Sequence, residues 1–161
     1  MSNFELFFKK NIDKPWDWHH LSMNTNITWE IIQQYIEKPW NWSLLSFNQN
    51  ITFNNILQNR DKPWDWSLLS TNRNITLEIV LENPELPWDW KSLSRNPNIT
   101  WDIISQNPEK PWNWTIISNH PNITWDIVQQ NPDKPWSWIS LSLNKFTLSR
   151  EELEKSRNSI S

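Results

Sequence analysis

The sequence predicts an all-α protein, a short α-solenoid of 24-residue helix–turn–helix repeats with a capping helix at each end. Two observations predict this fold. The motif Pro-Trp-X-Trp occurs six times at a constant spacing of 24 residues, from Pro15 to Pro135. The tripeptide Asn-Ile-Thr, which has the character of a helix start, recurs at the same spacing. A fixed register over most of a chain indicates one structural unit stacked on copies of itself.

The second element of each repeat is predicted to be a helix of about two turns. Thr124 is a favourable N-cap, and Asp126 places a negative charge at the positive end of the helix dipole. Ile123 and Val128 have the spacing of a hydrophobic staple around that cap. Asn-Pro pairs such as Asn83-Pro84 end the helix, because a residue before proline avoids the helical region. The predicted N-caps are Thr28, Thr52, Thr76, Thr100 and Thr124.

The first element is predicted to be a helix that begins at the proline of the Pro-Trp-X-Trp motif, since proline is favoured in a first helical turn. An acidic residue two places before the proline, such as Asp61, is expected to cap the helix or face its dipole. The two tryptophans of a motif then lie about 200° apart and point to different sides of the helix. A strand is the less favoured alternative, because the aliphatic Leu69 breaks strict alternation with Trp64 and Trp66.

The fifteen tryptophans are interpreted as core, because each can bury roughly 150–250 Å² and so hold short helices together. An aliphatic residue follows the second tryptophan of each motif at the third position, on the same helix face. The predicted structural core comprises Trp16, Trp18, Trp40, Trp42, Trp64, Trp66, Trp88, Trp90, Trp112, Trp114, Trp136 and Trp138, with Leu45, Leu69 and Leu93.

The repeat pattern also sets the expected organisation of the chain. Residues 1–13 are predicted to form an N-terminal capping helix, and residues 14–145 the tandem repeats, five full and a sixth partial. The pattern breaks after Trp138, and residues 146–161 are predicted to form a highly charged C-terminal capping helix and tail. Polar terminal helices keep a stacked array soluble.

Composition argues against several classes of function. The chain has no cysteine and no glycine, so the sequence offers no thiolate metal site, thiol nucleophile or glycine-rich phosphate loop. The histidines His19, His20 and His120 are not spaced as metal ligands on a helix. We therefore expect no enzyme activity, no cofactor and no metal. The net charge of −3 and the scattered cations argue against nucleic acid, and the apolar runs are too short for a membrane span. An intracellular protein is expected.

Comparison of the repeats separates fixed positions from those that change freely. Three registers vary from copy to copy: the one that holds Phe47 and Arg95, the one that holds Arg73, and the one that holds Lys91. These positions are expected to face solvent, because the fixed positions account for core and caps. The candidate partner surface is Phe47, Arg73, Lys91 and Arg95.

The unit Asn-Pro-Asn-Ile-Thr-Trp-Asp-Ile-Ile followed by Pro-Glu-Lys-Pro-Trp-Asn-Trp, at residues 96–114, resembles a Trp- and Asn-rich repeat of giant DNA viruses of the mimivirus kind. The resemblance covers about residues 14–146 and includes the closing Asn-Lys-Phe-Thr at residues 144–147. It implies a viral origin, with the host cytoplasm or the virion as the location, and supplies no catalytic residues. The chain departs from the pattern at Tyr35-Ile36, where Asn-Pro is usual, so a longer helix is expected there.

Three functions are compatible with such an array. The leading hypothesis is a non-catalytic scaffold for protein–protein interaction, whose variable face binds a protein partner and neither nucleic acid nor membrane. The alternatives are a carbohydrate-binding surface made by a ladder of exposed tryptophans and a virion structural component that assembles end to end.

Overall fold

A computed structural model describes residues 2–146, and over these residues the protein is entirely helical. The all-α prediction is confirmed for this part of the chain, and the strand alternative is wrong there. Of the predicted C-terminal capping helix, residues 147–161 lie outside the described residues. The helices are α1 (Asn3–Lys10), α2 (Trp18–Met23), α3 (Trp29–Gln34), α4 (Trp42–Phe47), α5 (Phe53–Leu57), α6 (Trp66–Thr71), α7 (Leu77–Glu82), α8 (Trp90–Leu93), α9 (Trp101–Gln106), α10 (Trp114–Ser118), α11 (Trp125–Gln130) and α12 (Trp138–Leu141).

The chain divides into two compact units, and the division falls within the repeats. The first unit spans Met1–Asn98 and contains α1 to α8, while the second spans Ile99–Ser161 and contains α9 to α12. In the first unit α2 packs against α4, α4 against α6, and α6 against α8. In the second unit α10 packs against α12. Helices that begin at successive Pro-Trp-X-Trp motifs are therefore direct neighbours within each unit.

The helix that follows each Pro-Trp-X-Trp motif starts later than its sequence predicts. It begins at the second tryptophan, and the residue between the two tryptophans is the N-cap. Asp65, for example, accepts a hydrogen bond from the backbone N–H of Leu68. The acid before the proline is not the cap, and Asp61 pairs instead with the adjacent Lys62. The N-caps of this type are Asp17, Asn41, Asp65, Asp89, Asn113 and Ser137.

The first tryptophan of each motif precedes the helix, so the prediction that both tryptophans sit on opposite faces of one helix is wrong. The Trp64 backbone N–H donates to the Lys62 carbonyl, which makes a tight turn rather than a helical turn. Its indole N–H donates to the carbonyl of Asn59, five residues earlier, at 2.8 Å. The same bond forms from Trp16, Trp40, Trp88, Trp112 and Trp136. The indole therefore satisfies a backbone carbonyl just beyond the end of the preceding helix.

The second helix of each repeat starts at the predicted threonine. The hydroxyls of Thr52, Thr76, Thr100 and Thr124 accept a hydrogen bond from the third helical N–H. Thr28 occupies the same position without this bond, and a hydrogen bond from its side chain lowers the pKa of the Glu30 carboxyl. The helix before Tyr35 is no longer than the equivalent helices α7, α9 and α11. It ends at Gln34, and the Tyr35 carbonyl accepts the Trp40 indole as Asn59 accepts Trp64.

Aliphatic side chains fill the centre of each unit. Leu45, Leu69 and Leu93 are fully buried, as are the isoleucines that precede the threonine caps. The first tryptophan of a motif is buried or half-buried, and Trp64 retains only 7% of its surface exposed. The second tryptophan is half-buried in Trp18, Trp42, Trp66, Trp90 and Trp114.

Trp138 is the exception among the tryptophans of the motifs, since 66% of its surface is exposed. Trp125, outside the motifs, is also exposed, to 43%, so the interpretation of all fifteen tryptophans as core is wrong for these two. The assignment of Trp138 to the core is therefore wrong. The equivalent Trp114 packs edge to face against the first tryptophan of the next motif, Trp136, with ring centroids 5.2 Å apart. Among the residues that the structure describes, no further Pro-Trp motif follows Trp138 to provide the equivalent contact.

Helix α1 lies where the sequence predicts an N-terminal capping helix. Ser2 caps it by accepting from the Glu5 N–H. Phe8 is fully buried, and its ring lies 5.4 Å from that of Trp16. Phe7 contacts the same indole at 6.0 Å while 57% of its own surface stays exposed. Helix α1 thus covers the first tryptophan of the first motif.

Candidate functional site

Buried asparagine side chains join each repeat of the first unit to the one before it. The Asn72 amide nitrogen donates to the carbonyl oxygens of Ser46 and Asn48, at 3.0 and 3.2 Å. Its amide oxygen accepts the backbone N–H of Asn74 at 2.9 Å. Asn48 and Asn96 repeat the arrangement on their own preceding repeats. We call these residues the asparagine ladder; Asn72 is 2% exposed, so the bonds form away from water.

The second unit contains its own step of the asparagine ladder at Asn144. The Asn144 amide nitrogen donates to the Ser118 and His120 carbonyls at 3.0 and 3.3 Å. His120 occupies the ladder register itself and accepts the Asn122 N–H on its Nδ1 at 3.2 Å. An imidazole nitrogen can replace the amide oxygen as the acceptor of that bond.

A second asparagine in each repeat bonds the backbone at the variable positions. The Asn74 amide donates to the carbonyls of Gln49 and Ile51, at 2.7 and 2.8 Å. Asn98 makes the corresponding bonds to Arg73 and Ile75. These bonds hold the main chain and leave the side chains at positions 49 and 73 outside the network.

A serine at the end of each motif helix adds a further connection. The Ser46 hydroxyl donates to the Trp42 carbonyl and accepts the backbone N–H of Asp65 in the next repeat, both at 2.9 Å. Ser22, Ser70 and Ser118 form the equivalent pair of bonds. The hydroxyl uses its donor and its acceptor at once and so satisfies two backbone groups of adjacent repeats.

Two of the three variable registers of the first unit come together in one groove. It has a volume of about 640 Å³ and draws equivalent residues from four successive repeats. One register contributes Met23, Phe47, Thr71 and Arg95, and the register two residues later contributes Thr25, Gln49, Arg73 and Pro97. The ladder residues Asn48 and Asn72 also line it, with Leu44. The volume falls within the usual range of about 300–1,000 Å³ for ligand pockets.

Three of the four predicted partner-surface residues meet in this groove. Phe47, Arg73 and Arg95 line it and are exposed, Phe47 to 61% of its surface. Lys91 is exposed too, but it does not line the groove. The sequence did not indicate that the other residues would share one concave surface, because concavity depends on how adjacent repeats are placed.

Acidic residues outside the groove stabilise helix starts. Asp89 is partly buried, which raises its pKa, but hydrogen bonds from Ser92, Ser67 and the Lys91 N–H outweigh burial and leave the pKa below its usual value. The His20 backbone N–H, with the His20 ring beside it, lowers the pKa of Asp17. Both carboxylates are thus held ionised as N-caps.

Neither a metal-binding cluster nor a membrane-spanning helix occurs among the described residues. No three side chains of His, Asp or Glu among residues 2–146 are grouped so that they could hold a metal ion. In the same part of the chain, no helix has the length and apolar character required to cross a membrane.

Sequence reasoning missed the asparagine ladder and the caps at the X position of Pro-Trp-X-Trp. Both left a signal. An amide recurs at residues 24, 48, 72, 96 and 144, and X is always Asp, Asn or Ser. Those three residue types are the preferred N-caps.

Comparison of the chain with protein-family models, with curated proteins and with solved structures gives no match in any of the three searches. The viral resemblance of the repeat therefore remains a prediction.

Proposed function

We propose that the chain is a non-catalytic α-solenoid scaffold for protein–protein interaction, of viral origin and located inside the host cell or the virion. One observation carries this proposal. Residues that recur in nearly every repeat bond adjacent repeats to each other, whereas two of the three variable registers line one groove in the first unit. A surface that varies on a fixed framework is typical of repeat proteins that bind macromolecules.

The chemical groups in the groove support binding rather than catalysis. Its walls present a thioether, an aromatic ring, amides, hydroxyls and two guanidinium groups. General acid–base catalysis requires a group that titrates near the working pH, and guanidinium stays protonated. None of the described acids with a shifted pKa lines the groove, and two of them, Asp17 and Asp89, cap helices.

A carbohydrate-binding ladder of tryptophans receives less support. Sugar rings stack on open indole faces, but the second tryptophan of a motif already has contacts. Trp42 packs edge to face with Trp64 at 5.0 Å, and the Lys62 ammonium lies over the Trp42 ring at 5.7 Å. The exposed indoles among the described residues are Trp125 and Trp138, both in the second unit. These two do not recur in every repeat.

End-to-end assembly is the second candidate function, and one observation favours it. Trp138, Ile139 and Leu143 in and beside α12 are exposed to 66%, 83% and 70%. Sedimentation velocity at rising concentration separates the two functions. A chain that stays monomeric contradicts assembly, and growing species contradict a simple scaffold.

Affinity capture followed by reconstitution tests the proposal itself. The tagged full chain is expressed in infected cells, captured proteins are purified, and each is mixed with the chain at known concentration. We expect at least one direct complex of defined stoichiometry. Binding to oligosaccharides with no direct protein complex would contradict the scaffold.

A further inference from the structure

The groove of the first unit has two chemically different ends. Met23 and Phe47, from the first two repeats, give one end a thioether and an aromatic ring that are 48% and 61% exposed. Arg73 and Arg95, from the next two repeats, give the other end two exposed guanidinium groups. The residues that line the groove include no carboxylate. The groove is therefore apolar at one end and cationic at the other.

The two arginines differ from the described cations that are held in ion pairs. Lys62, Lys110 and Lys134 each pair with the acid that precedes them. Among the described residues, neither Arg73 nor Arg95 forms an ion pair. Guanidinium groups bind carboxylates in a planar, two-pronged geometry. Two of them in one groove, in a chain of net charge −3, form a local site for acidic groups.

The floor of the groove is held in place before any partner arrives. Asn48 and Asn72, which line it, bond the preceding repeats through their amides. The Arg73 main chain is held by the Asn98 amide at 2.6 Å. A surface fixed in this way loses little conformational entropy on binding, which favours affinity.

We propose that this groove binds an extended acidic peptide segment of a partner protein, with an aromatic or aliphatic side chain at Met23 and Phe47 and carboxylates at Arg73 and Arg95. This inference rests on the proposed scaffold function. Packed helices lie about 8–10 Å apart, so two repeats separate the apolar and cationic ends by roughly 16–20 Å. An extended chain rises about 3.3 Å per residue, so the apolar and acidic side chains are about five or six residues apart.

A peptide fits the groove better than a nucleic acid does. Binding to nucleic acid depends on many cations that neutralise successive phosphates, whereas this groove has two. The apolar end has no counterpart on a phosphate backbone. The test must nevertheless include an oligonucleotide, since arginine also binds phosphate.

Selection from a random 12-residue display library, on the immobilised full chain in 150 mM salt, tests the inference. Enriched peptides are synthesised with fluorescein, and affinity is measured by anisotropy for the wild type and for Arg73→Glu/Arg95→Glu. The matched control is Lys14→Glu/Arg60→Glu, which changes the charge equally at exposed positions outside the groove. A fluorescein-labelled (dT)12 is measured in parallel, and thermal melts check that each variant folds.

The expected peptides contain at least two acidic residues and one Leu, Phe or Trp five or six positions away. Their affinity should fall at least tenfold in Arg73→Glu/Arg95→Glu and stay within twofold in the control. If the double variant does not fold, Phe47→Ala replaces it, with a loss of at least threefold expected. Raising the salt concentration tenfold should also weaken the wild-type complex severalfold.

Three results would overturn the inference. Peptides that bind equally well to Arg73→Glu/Arg95→Glu would place the site elsewhere and leave the scaffold function standing. Tighter arginine-dependent binding of (dT)12 than of any peptide would assign the groove to nucleic acid. An absence of enriched peptides would also reject an acidic peptide as the occupant, and the scaffold function would then depend on the reconstitution experiment alone.

Discussion

Asn72 and Arg73 are consecutive residues that belong to two different regions of the first unit. The Asn72 side chain is buried and bonds the carbonyls of the preceding repeat, and an amide occupies its register in nearly every copy. The Arg73 side chain is exposed in the groove, and its register holds Thr, Gln, Arg or Pro. Arg73 takes part in the repeat contacts only through its carbonyl, which accepts from Asn98. Every residue type has that carbonyl.

This difference explains how the array can vary one surface without losing its packing. Side chains of Asn, Ser and Trp bond main-chain groups of adjacent residues and repeats, and those groups do not change with the residue type. The variable side chains of Phe47, Arg73 and Arg95 in the groove contribute no hydrogen bond between the repeats that the structure describes. Substitutions in the first region should therefore reduce stability, while those in the second should change binding.

The largest expected difference in stability loss is between alanine substitutions at two tryptophans, Trp64 and Trp138. Trp64 is only 7% exposed, and Trp64→Ala removes its ring together with the hydrogen bond from the indole N–H to the Asn59 carbonyl. We expect a loss of about 3–5 kcal/mol in the free energy of unfolding. Trp138→Ala removes a mostly exposed ring and should change stability by about 0.5 kcal/mol. Guanidinium denaturation followed by circular dichroism measures both. Equal losses would contradict the assignment of the two rings to different environments.

Serine at the end of a motif helix should have the next largest effect. Ser46→Ala leaves the Asp65 N–H and one lone pair of the Trp42 carbonyl without their partner, and about 1–3 kcal/mol should be lost. Ser105→Ala is the matched control, since that exposed hydroxyl bonds only the nearby Asp102 carbonyl. Urea denaturation of the pair checks the prediction, and a control loss as large as that of Ser46→Ala would refute it.

The threonine caps allow a smaller test between equivalent positions. Thr76→Ala removes the bond from the Ile79 N–H and should destabilise by about 1 kcal/mol. Thr28→Ala should have a smaller effect, because the Thr28 hydroxyl makes no cap bond. The shift in thermal midpoint should be larger for Thr76→Ala, and the reverse order would contradict the cap geometry.

Features that depend on residues close in sequence could be predicted from the sequence. Features that depend on how one repeat contacts the next could not. The threonine at residue 124 and the Asn-Pro at residues 131–132 could be read as a helix start and stop from local spacing alone. The helix start at Trp66 was misplaced, because Pro63 and Asp65 both carry helix-start signals and the second one applies. The recurring amide at Asn72 is visible in the sequence, but its hydrogen-bond acceptors could not be assigned, since they are 24 and 26 residues away. The groove could not be predicted for the same reason, because the residues that line it come from successive repeats.

The smallest expected effect on stability is the one produced by lowering the pH through the titration of Asp89. The folded pKa of Asp89 lies below its unfolded value, so the stabilisation is present at neutral pH, begins to be lost below about pH 5, and disappears below the folded pKa. Asp89→Asn keeps a capping side chain, as at Asn41 and Asn113, but removes the titration. The stability difference between wild type and variant should therefore shrink from pH 7 to pH 3. A difference that stays constant with pH would rule out the ionised cap.

One set of side chains holds the repeats together while another set forms a variable groove. Aspartate placed at position 72 or at position 73 tests this central claim most directly. Asn72→Asp replaces an amide donor with a carboxylate that faces two buried carbonyls, whereas Arg73→Asp changes only an exposed side chain. Guanidinium unfolding of the full chain should show a loss of about 3–5 kcal/mol for Asn72→Asp and at most about 0.5 kcal/mol for Arg73→Asp. Similar losses at the two positions would contradict the separation of a repeat framework from a variable groove.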